Sequence, residues 1–317
     1  MLVLVTGVAG FIGSHLAKRL ATRGDRVIGL DNFDETLYPA SLHMANLAQV
    51  ADVVEFTKGD FLDSELLEQL FSRHRFDAIV HLGALAGVRP SLLQPKRYQR
   101  VNIEGTLNLL EACRAYGVRR FVFASSSSVY GAHNEVPFRE RDPAVRPASP
   151  YAASKRAGEL FCSNYSDLYG IATSALRFFT VFGPRQRPEM AIHKFARLID
   201  SGSPVPFYGD GSSARDYTFI DDIIDGVVSS VDHCGNGQHR VYNLGGSRTT
   251  TLARLIELLE AELGKRALLD RQPDQPGDVP ITYADVTEAA RDLGYAPKVP
   301  IEEGIARFCT WFKAQHA

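Results

Sequence analysis

Cysteine is scarce in this chain, and the little there is forms no pattern. Cys113, Cys162, Cys234 and Cys309 are the only four, and no two stand in a Cys-x-x-Cys spacing. Neither a zinc site nor a disulfide framework is expected, and a reducing, cytoplasmic compartment is. No apolar run is long enough to span a bilayer. Met1 leads straight into a strand-like run without a basic stretch ahead of it, so no signal peptide is expected. Charge of one sign is also missing. The formal net charge is −2 over 317 residues, which excludes a global pull toward nucleic acid or anionic membrane. Internal repeats and low-complexity tracts are absent. What remains is 45% hydrophobic and 23% charged, an ordinary globular profile with enough chain for a large core and two lobes.

The first half alternates short apolar runs with helical stretches. Leu2 to Thr6, Val27 to Leu30, Val53 to Thr57, Ala78 to His81 and Phe121 to Ala124 read as strands. Gly13 to Thr22, Ser64 to Arg73 and Val101 to Tyr116 read as helices. Strands alternating with helices predict an α/β fold, a parallel sheet wound on both faces. Past about residue 180 the texture changes. Pro184, Pro188, Pro204 and Pro206 punctuate the chain, Gly209 to Ser213 is turn-rich, and Asp270 to Pro280 is rich in proline and aspartate. The expected division is a nucleotide-binding part over 1–180 and a smaller C-terminal α/β lobe over 181–317, some of whose segments return to the sheet.

Gly7, Gly10 and Gly13 follow the first strand and open the first helix. Glycines let the backbone come close to a pyrophosphate, and a helix N-terminus favours its negative charge. The spacing is GxxGxxG, so its weight comes from context. Asp31 ends the second strand, about ~20 residues on, where an acid binds the adenosine ribose hydroxyls. A carboxylate there repels the extra phosphate of NADP and favours NAD. Asp60 either sits by the adenine ring or only closes a strand-end turn.

Ser149-Pro150 is a good N-cap and first helical residue, and Tyr151 and Lys155 follow at i and i+4 on one helix face. A free phenol, with a pKa near ~10, is a poor base at neutral pH. A nearby ammonium lowers that pKa, so the pair is a candidate proton-transfer device for an alcohol. His81 and His193 lack a second ligand at a useful spacing, so no metal is expected.

Gly7-x-x-Gly10-x-x-Gly13, Ser125 to Ser128 before Val129-Tyr130-Gly131, and Tyr151-x-x-x-Lys155 occur in that order. Together they resemble the extended short-chain dehydrogenase/reductase family, specifically its nucleotide-sugar epimerases, along essentially the whole chain. The resemblance implies a Rossmann-type sheet, NAD as cofactor and a homodimer built on the Val101–Tyr116 and Tyr151–Tyr169 helices. It implies that Ser126 binds the reacting sugar hydroxyl, that Tyr151 takes its proton, and that Lys155 binds the nicotinamide ribose. It extends the cofactor set to Phe11, Ile12, Asn32, Asp60, Phe61, Leu82, Ala84 and Asn102. Ser127 and Ser128 assist the chemistry or merely satisfy backbone at a strand end.

The serine loop separates reactions within the family. Dehydratases carry Asp-Glu after the active hydroxyl, and UDP-glucuronate decarboxylases place a glutamate beside Val-Tyr. Here Ser127 and Ser128 stand in those places, which favours epimerisation at carbon 4. Three segments resemble UDP-glucuronate 4-epimerases: Gly87-Val88-Arg89-Pro90-Ser91, Arg177 to Ala191, and Gln275 to Val279. Thr180 and Arg187 are expected to clamp the sugar carboxylate, since a guanidinium can grip it with paired hydrogen bonds. The resemblance further implies Arg89, Ala191, Lys194, Val205, Phe207, Arg215, Gln275 and Asp278 as UDP-sugar contacts. The alternatives are a UDP-glucose or UDP-N-acetylglucosamine 4-epimerase, a UDP-glucuronate decarboxylase, and an NAD-binding regulator without turnover. The loop Phe33 to Ala40 says little about specificity.

Overall fold

The computed structural model describes residues 1–131, 135–235, 237–273 and 279–316. The five expected apolar runs become strands β1 (Leu2–Thr6), β2 (Arg26–Asp31), β3 (Val54–Lys58), β4 (Ala78–His81) and β5 (Arg120–Ser126), and β6 (Ala172–Phe178) is a further, unexpected strand. With the strand His239–Leu244 they make a seven-stranded sheet. Its order is His239–Leu244, β6, β5, β4, β1, β2, β3, and every pairing is parallel.

Parallel strands require crossovers, and helices supply them. These are α1 (Phe11–Thr22), α2 (Ala40–Ala48), α3 (Ser64–Arg73), α4 (Val88–Leu93), α5 (Pro95–Gln99), α6 (Gly105–Tyr116) and α7 (Pro150–Tyr169). Successive residues of a strand face opposite sides. Val3 and Val5 join one apolar cluster with Leu16 and Val122, while Leu4 joins another with Ile79 and Phe121. The expected doubly wound α/β sheet is therefore present, with a core on each face.

The winding reverses between β1 and β4, whose register pairs Thr6 with His81. Open sheets of this kind bind ligands outside the strand C-termini at the reversal. Gly7 and Gly83 meet there. A Cβ on Gly7, whose φ is +71°, would lie 2.8 Å from the Gly83 nitrogen, and one on Gly13 would lie 2.1 Å from the Gly7 carbonyl oxygen. The glycine pattern is thus also a packing requirement between the first turn and the first helix.

Two helix boundaries differ from expectation. α1 begins at Phe11, because Gly10 is already its N-cap. The stretch expected as one helix from Val101 opens instead with a π-helical turn, Arg100–Glu104, ahead of α6. Apolar spacing does not register one extra residue in a turn, and such turns recur where a helix serves a site.

Apart from His239–Leu244, the strands from residue 180 onward pair in small sheets: Thr180–Phe182 with Tyr217–Phe219, Ala214–Arg215 with Thr250–Thr251, and Pro204–Tyr208 with Leu268–Gln272. Phe182, Val205, Phe219 and Leu255 belong to the same apolar cluster as Val5 and Leu16. No helix among the described residues is long and apolar enough to cross a membrane.

Gly13→Ala is expected to cost about 1–3 kcal/mol of stability by overpacking the glycine turn. Thermal unfolding reads the change, and an unaltered Tm would contradict the close approach.

Candidate active site

A cavity of about 440 Å³ opens at the sheet reversal and runs from the glycine turn to Tyr151 and Arg187. At one end the Gly10 N–H bonds the Gly7 carbonyl at 3.0 Å, and no side chain caps α1. The first N–H groups of α1 lack intrahelical partners, so an anion is favoured there. Phe11, Ile12, Phe61, Leu82 and Ala84 line the cavity beside the three glycines of the motif.

Asp31 and Asn32 line it too. Asp31 accepts from the Ala9 N–H at 3.0 Å and the Phe33 N–H at 2.9 Å. Burial nevertheless pushes its carboxyl up from the ordinary value. Asp60 is elsewhere: it accepts from Asn32 Nδ2 at 2.8 Å and from the Leu62 N–H at 2.9 Å, and it faces a neighbouring hollow with Asp34 and Arg97.

Asn102 does not line the cavity; it braces the wall. Its Oδ1 accepts from the Leu85 N–H, and its Nδ2 donates to the Leu85 carbonyl and to Ser154 Oγ, each at 2.9 Å. Ser154 Oγ in turn donates to the Tyr151 carbonyl at 2.8 Å. His81, considered and set aside as a metal ligand, lies between Thr6 Oγ1 at 2.7 Å and Thr106 Oγ1 at 3.1 Å. Burial pushes its imidazole down to about 3, so it is neutral. The described residues hold no cluster of His, Cys, Asp or Glu able to bind a metal ion.

The chemistry sits at the other end. β5 delivers Ser125 and Ser126, and Ser126 Oγ caps the 3-10 turn Ser127–Tyr130 by accepting from the Ser128 N–H at 3.2 Å. Ser128 Oγ donates to Ser126 Oγ at 3.0 Å. Ser149 caps α7 as expected, accepting from the Ala152 N–H at 3.1 Å, with Pro150 as the first helical residue. Tyr151 and Lys155 then stand one turn apart, and Ser126, Ser127, Ser128, Tyr151 and Lys155 all line the cavity.

The charges differ in one respect from expectation. Burial raises the Tyr151 phenol, while a hydrogen bond with Ser126 and the charge of Arg187 act against that rise. Lys155 turns its Nζ to the Ala124 carbonyl at 2.7 Å and lies over the Phe123 ring. Burial pushes its ammonium down to about 7. The cation that reaches the phenol here is Arg187, supplied by a loop about as far along the chain as the second lobe.

Thr180, Arg187, Phe178, Phe179 and Met190 close this end of the cavity. Arg187 Nε pairs with Glu189 at 3.1 Å. The remaining implied contacts do not line this cavity. Arg89 is on α4 next to Val88, which does; Ala191 and Lys194 start the helix Ala191–Asp200. Val205 and Phe207 are core residues, with Arg271 over the Phe207 ring at 5.0 Å. Arg215 donates to the Ala214 and Pro280 carbonyls at 3.0 and 3.3 Å. Gln275 and Asp278 lie outside the described residues. Tyr38, His43 and Gly83, which sequence reasoning passed over, line the cavity. The aromatic density from Phe33 to His43 was the one local signal for Tyr38 and His43.

The Lys155 ammonium is charged in the unfolded chain up to ~10.4 but in the folded chain only below about 7. The unfolded state binds more protons between those values, so stability rises with pH across that window, and the full penalty applies below it. Lys155→Met is therefore expected to unfold at a higher temperature than wild type at pH 6 without cofactor. The gap should close as pH rises past about 7. A gap constant with pH would mean that the ammonium is not desolvated.

Comparison with known proteins agrees with this architecture. Residues 4–308 match the family described as GDP-mannose 4,6 dehydratase. UDP-glucuronate 4-epimerase 1 of Arabidopsis thaliana is 41% identical over 98% of this chain and 76% of its own length. The crystal structure of UDP-glucuronic acid 4-epimerase from Bacillus cereus with UDP-glucuronic acid and NAD superposes with a TM-score of 0.91 at 35% identity, covering 99% of this chain and 100% of that one. The UDP-glucose 4-epimerase of Thermotoga maritima with UDP-glucose gives a TM-score of 0.92 at 33% identity, covering 100% of both chains. With the glycine turn, the serine loop and the tyrosine–lysine helix all meeting in one cavity, the chain belongs to the extended short-chain dehydrogenase/reductase family, among its nucleotide-sugar 4-epimerases.

Proposed function

We propose that this protein interconverts UDP-glucuronate and UDP-galacturonate through a 4-keto sugar, with NAD retained through the cycle. The observation that carries the reading is that Thr180 and Arg187 share a cavity with Ser126, Ser127, Ser128 and Tyr151. Hydroxyls and a guanidinium suited to a carboxylate thus border a proton-transfer group. Curated relatives named UDP-glucuronate 4-epimerase support the same substrate. The orphaned ring nitrogens of His43 beside Asp31 and the uncapped α1 N-terminus suit the adenosine and pyrophosphate parts of a dinucleotide.

Bound NAD supplies the hydride acceptor, and then the donor, for carbon 4. Ser126 orients the carbon-4 hydroxyl and Tyr151 takes its proton. The 4-keto sugar then turns its other face to the cofactor, and Tyr151 returns the proton to the carbon-4 oxygen as hydride returns to carbon 4. Burial makes the phenol reluctant to ionise, and the Ser126 hydrogen bond and Arg187 offset part of that reluctance. Lys155 binds the nicotinamide ribose from the same helix face. The 4-keto uronate is a β-keto acid and loses carbon dioxide when the carboxylate bond aligns with the ketone. Thr180 and Arg187 hold the carboxylate out of that alignment. The glutamate and Asp-Glu pair that favour decarboxylation or dehydration in relatives are replaced by Ser127 and Ser128.

We also assign a homodimer through α6 and α7, where Leu160 and Leu168 are exposed, and a cytoplasmic location in keeping with four free, buried cysteines.

Proton NMR of the protein with UDP-glucuronate tests the substrate. The expected product is UDP-galacturonate without UDP-pentose. A UDP-pentose product would transfer the reading to a decarboxylase. Turnover of UDP-glucose but not UDP-glucuronate would transfer it to a neutral-hexose epimerase. Arg187→Gln should raise KM for UDP-glucuronate about tenfold or more, the scale of one lost charge-assisted hydrogen bond, and should release some UDP-pentose. An unchanged KM would remove Arg187 from the clamp.

A further inference from the structure

His43 is a buried group with no assigned task. Neither ring nitrogen has a hydrogen-bond partner, although the residue is only 6% exposed. Leaving a buried donor or acceptor unpaired is costly, so such a group marks the place of a ligand polar atom. The ring lines the main cavity together with Asp31 and Tyr38. Its ring is packed: α2 carries it, Tyr38 stacks on it at 4.3 Å and 12°, and the Phe33 ring lies 5.8 Å away.

The spacing to Asp31 identifies the kind of atom that fits. His43 Nδ1 is 3.8 Å from Asp31 Oδ1, too long for a direct hydrogen bond. A single oxygen can sit within about 2.8 Å of both. It must donate to a carboxylate, which only accepts, and accept from an imidazole N–H. A hydroxyl does both. Asp31 already receives the Ala9 and Phe33 N–H groups, one on each oxygen, and each oxygen keeps a lone pair. A phosphate ester in that place has no proton to donate and brings a second negative charge.

We propose that His43 and Asp31 together read a free ribose hydroxyl on the adenosine half of the dinucleotide, which makes His43 a specificity-determining residue for the cofactor. The sequence pattern explains Asp31 but not His43, because their proximity depends on how α2 docks against the end of β2. The inference rests on the dinucleotide part of the proposed function and is independent of which sugar is turned over.

Calorimetric titration of the protein, freed of any dinucleotide carried through purification, tests it with ADP-ribose, ADP, 2′-deoxy-ADP, 3′-deoxy-ADP and UDP. His43→Phe keeps an aromatic ring between Tyr38 and Phe33. It should weaken ADP-ribose about tenfold, as expected for one lost hydrogen bond. It should also narrow the preference for ADP over one deoxy analogue and leave UDP binding unchanged. His43→Gln, which retains a donor, should recover part of both losses. Equal ADP-ribose affinity in wild type and His43→Phe overturns the proposal. A loss of affinity with the ribo-to-deoxy ratio intact also overturns it, since His43 would then act through packing alone. Failure of wild type to bind ADP-ribose would instead overturn the dinucleotide reading itself.

Discussion

Glu159 and Arg177 form a buried ion pair on which the catalytic half of the molecule depends. Glu159 is on α7, two turns beyond Tyr151, and Arg177 is on β6. Arg177 grips both carboxylate oxygens, at 2.8 and 2.9 Å, in a two-pronged contact. Burial opposes the carboxylate's charge, but the hydrogen bonds from Arg177, Ser125 and Arg156 outweigh it and hold Glu159 below its ordinary value. Removing one member of such a pair costs about 3–5 kcal/mol, because the other charge is left buried alone. Its geometric consequence matters more than its energy. Ser125 Oγ donates to the same carboxylate at 2.6 Å, one residue before Ser126. The helix that carries Tyr151 and the strand that carries Ser126 are therefore fixed to a common anchor. Tyr130 lies under the Arg177 guanidinium at 4.6 Å and donates to Asn243 at 2.7 Å, which carries the constraint to the far edge of the sheet.

Placing these charges in the interior sets the balance at the reacting end. Burial alone disfavours both the phenolate of Tyr151 and the ammonium of Lys155. A lysine whose charge burial disfavours stabilises a phenolate less than a fully charged one would. Arg187 supplies a guanidinium that acts on the phenol, and it comes from the loop that also brings Met190. The residue expected to recognise the sugar thus also acts on the acid–base group.

Legibility from sequence followed the distance over which each feature is determined. The placing of Gly7, Gly10, Gly13 and Asp31 is fixed by one strand–turn–helix unit, and that of the Ser149 cap and the Tyr151–Lys155 pair by one helix, so local pattern sufficed to position them, and the three glycines, Asp31, Tyr151 and Lys155 line one cavity. Five of the seven sheet strands were legible for the same reason, as short apolar runs; Ala172–Phe178 and His239–Leu244, in the half punctuated by turns and prolines, were not. For Asp60 the sequence leaves open an adenine contact or a strand-end turn; its side chain accepts from Asn32 and faces the adjacent hollow. Val205, Phe207 and Arg215 were placed by resemblance, yet their side chains serve the core, an arginine–ring contact and two backbone carbonyls. Segment matching cannot tell which atoms of a segment face a ligand. His43 escaped because its significance arises only when α2 meets Asp31.

A second constraint joins the two ends of the cavity, and its direction can be read from the donors. Thr106 Oγ1 donates to the Asn102 carbonyl at 2.7 Å, so it must accept from His81 Nε2–H. Nδ1 is then bare and accepts the Thr6 hydroxyl proton, and Thr6 Oγ1 accepts from the Gly83 N–H at 3.1 Å. The relay is complete only for the neutral ring, and burial guarantees that state. From Asn102 the chain of bonds continues through Ser154 to the Tyr151 carbonyl. The glycine turn at the sheet reversal and the first turn of α7 are therefore held by one unbroken set of hydrogen bonds. An enzyme that takes a hydride from a sugar carbon and the proton from that carbon's hydroxyl needs its cofactor floor and its tyrosine in fixed register, and a histidine with no catalytic task provides that register.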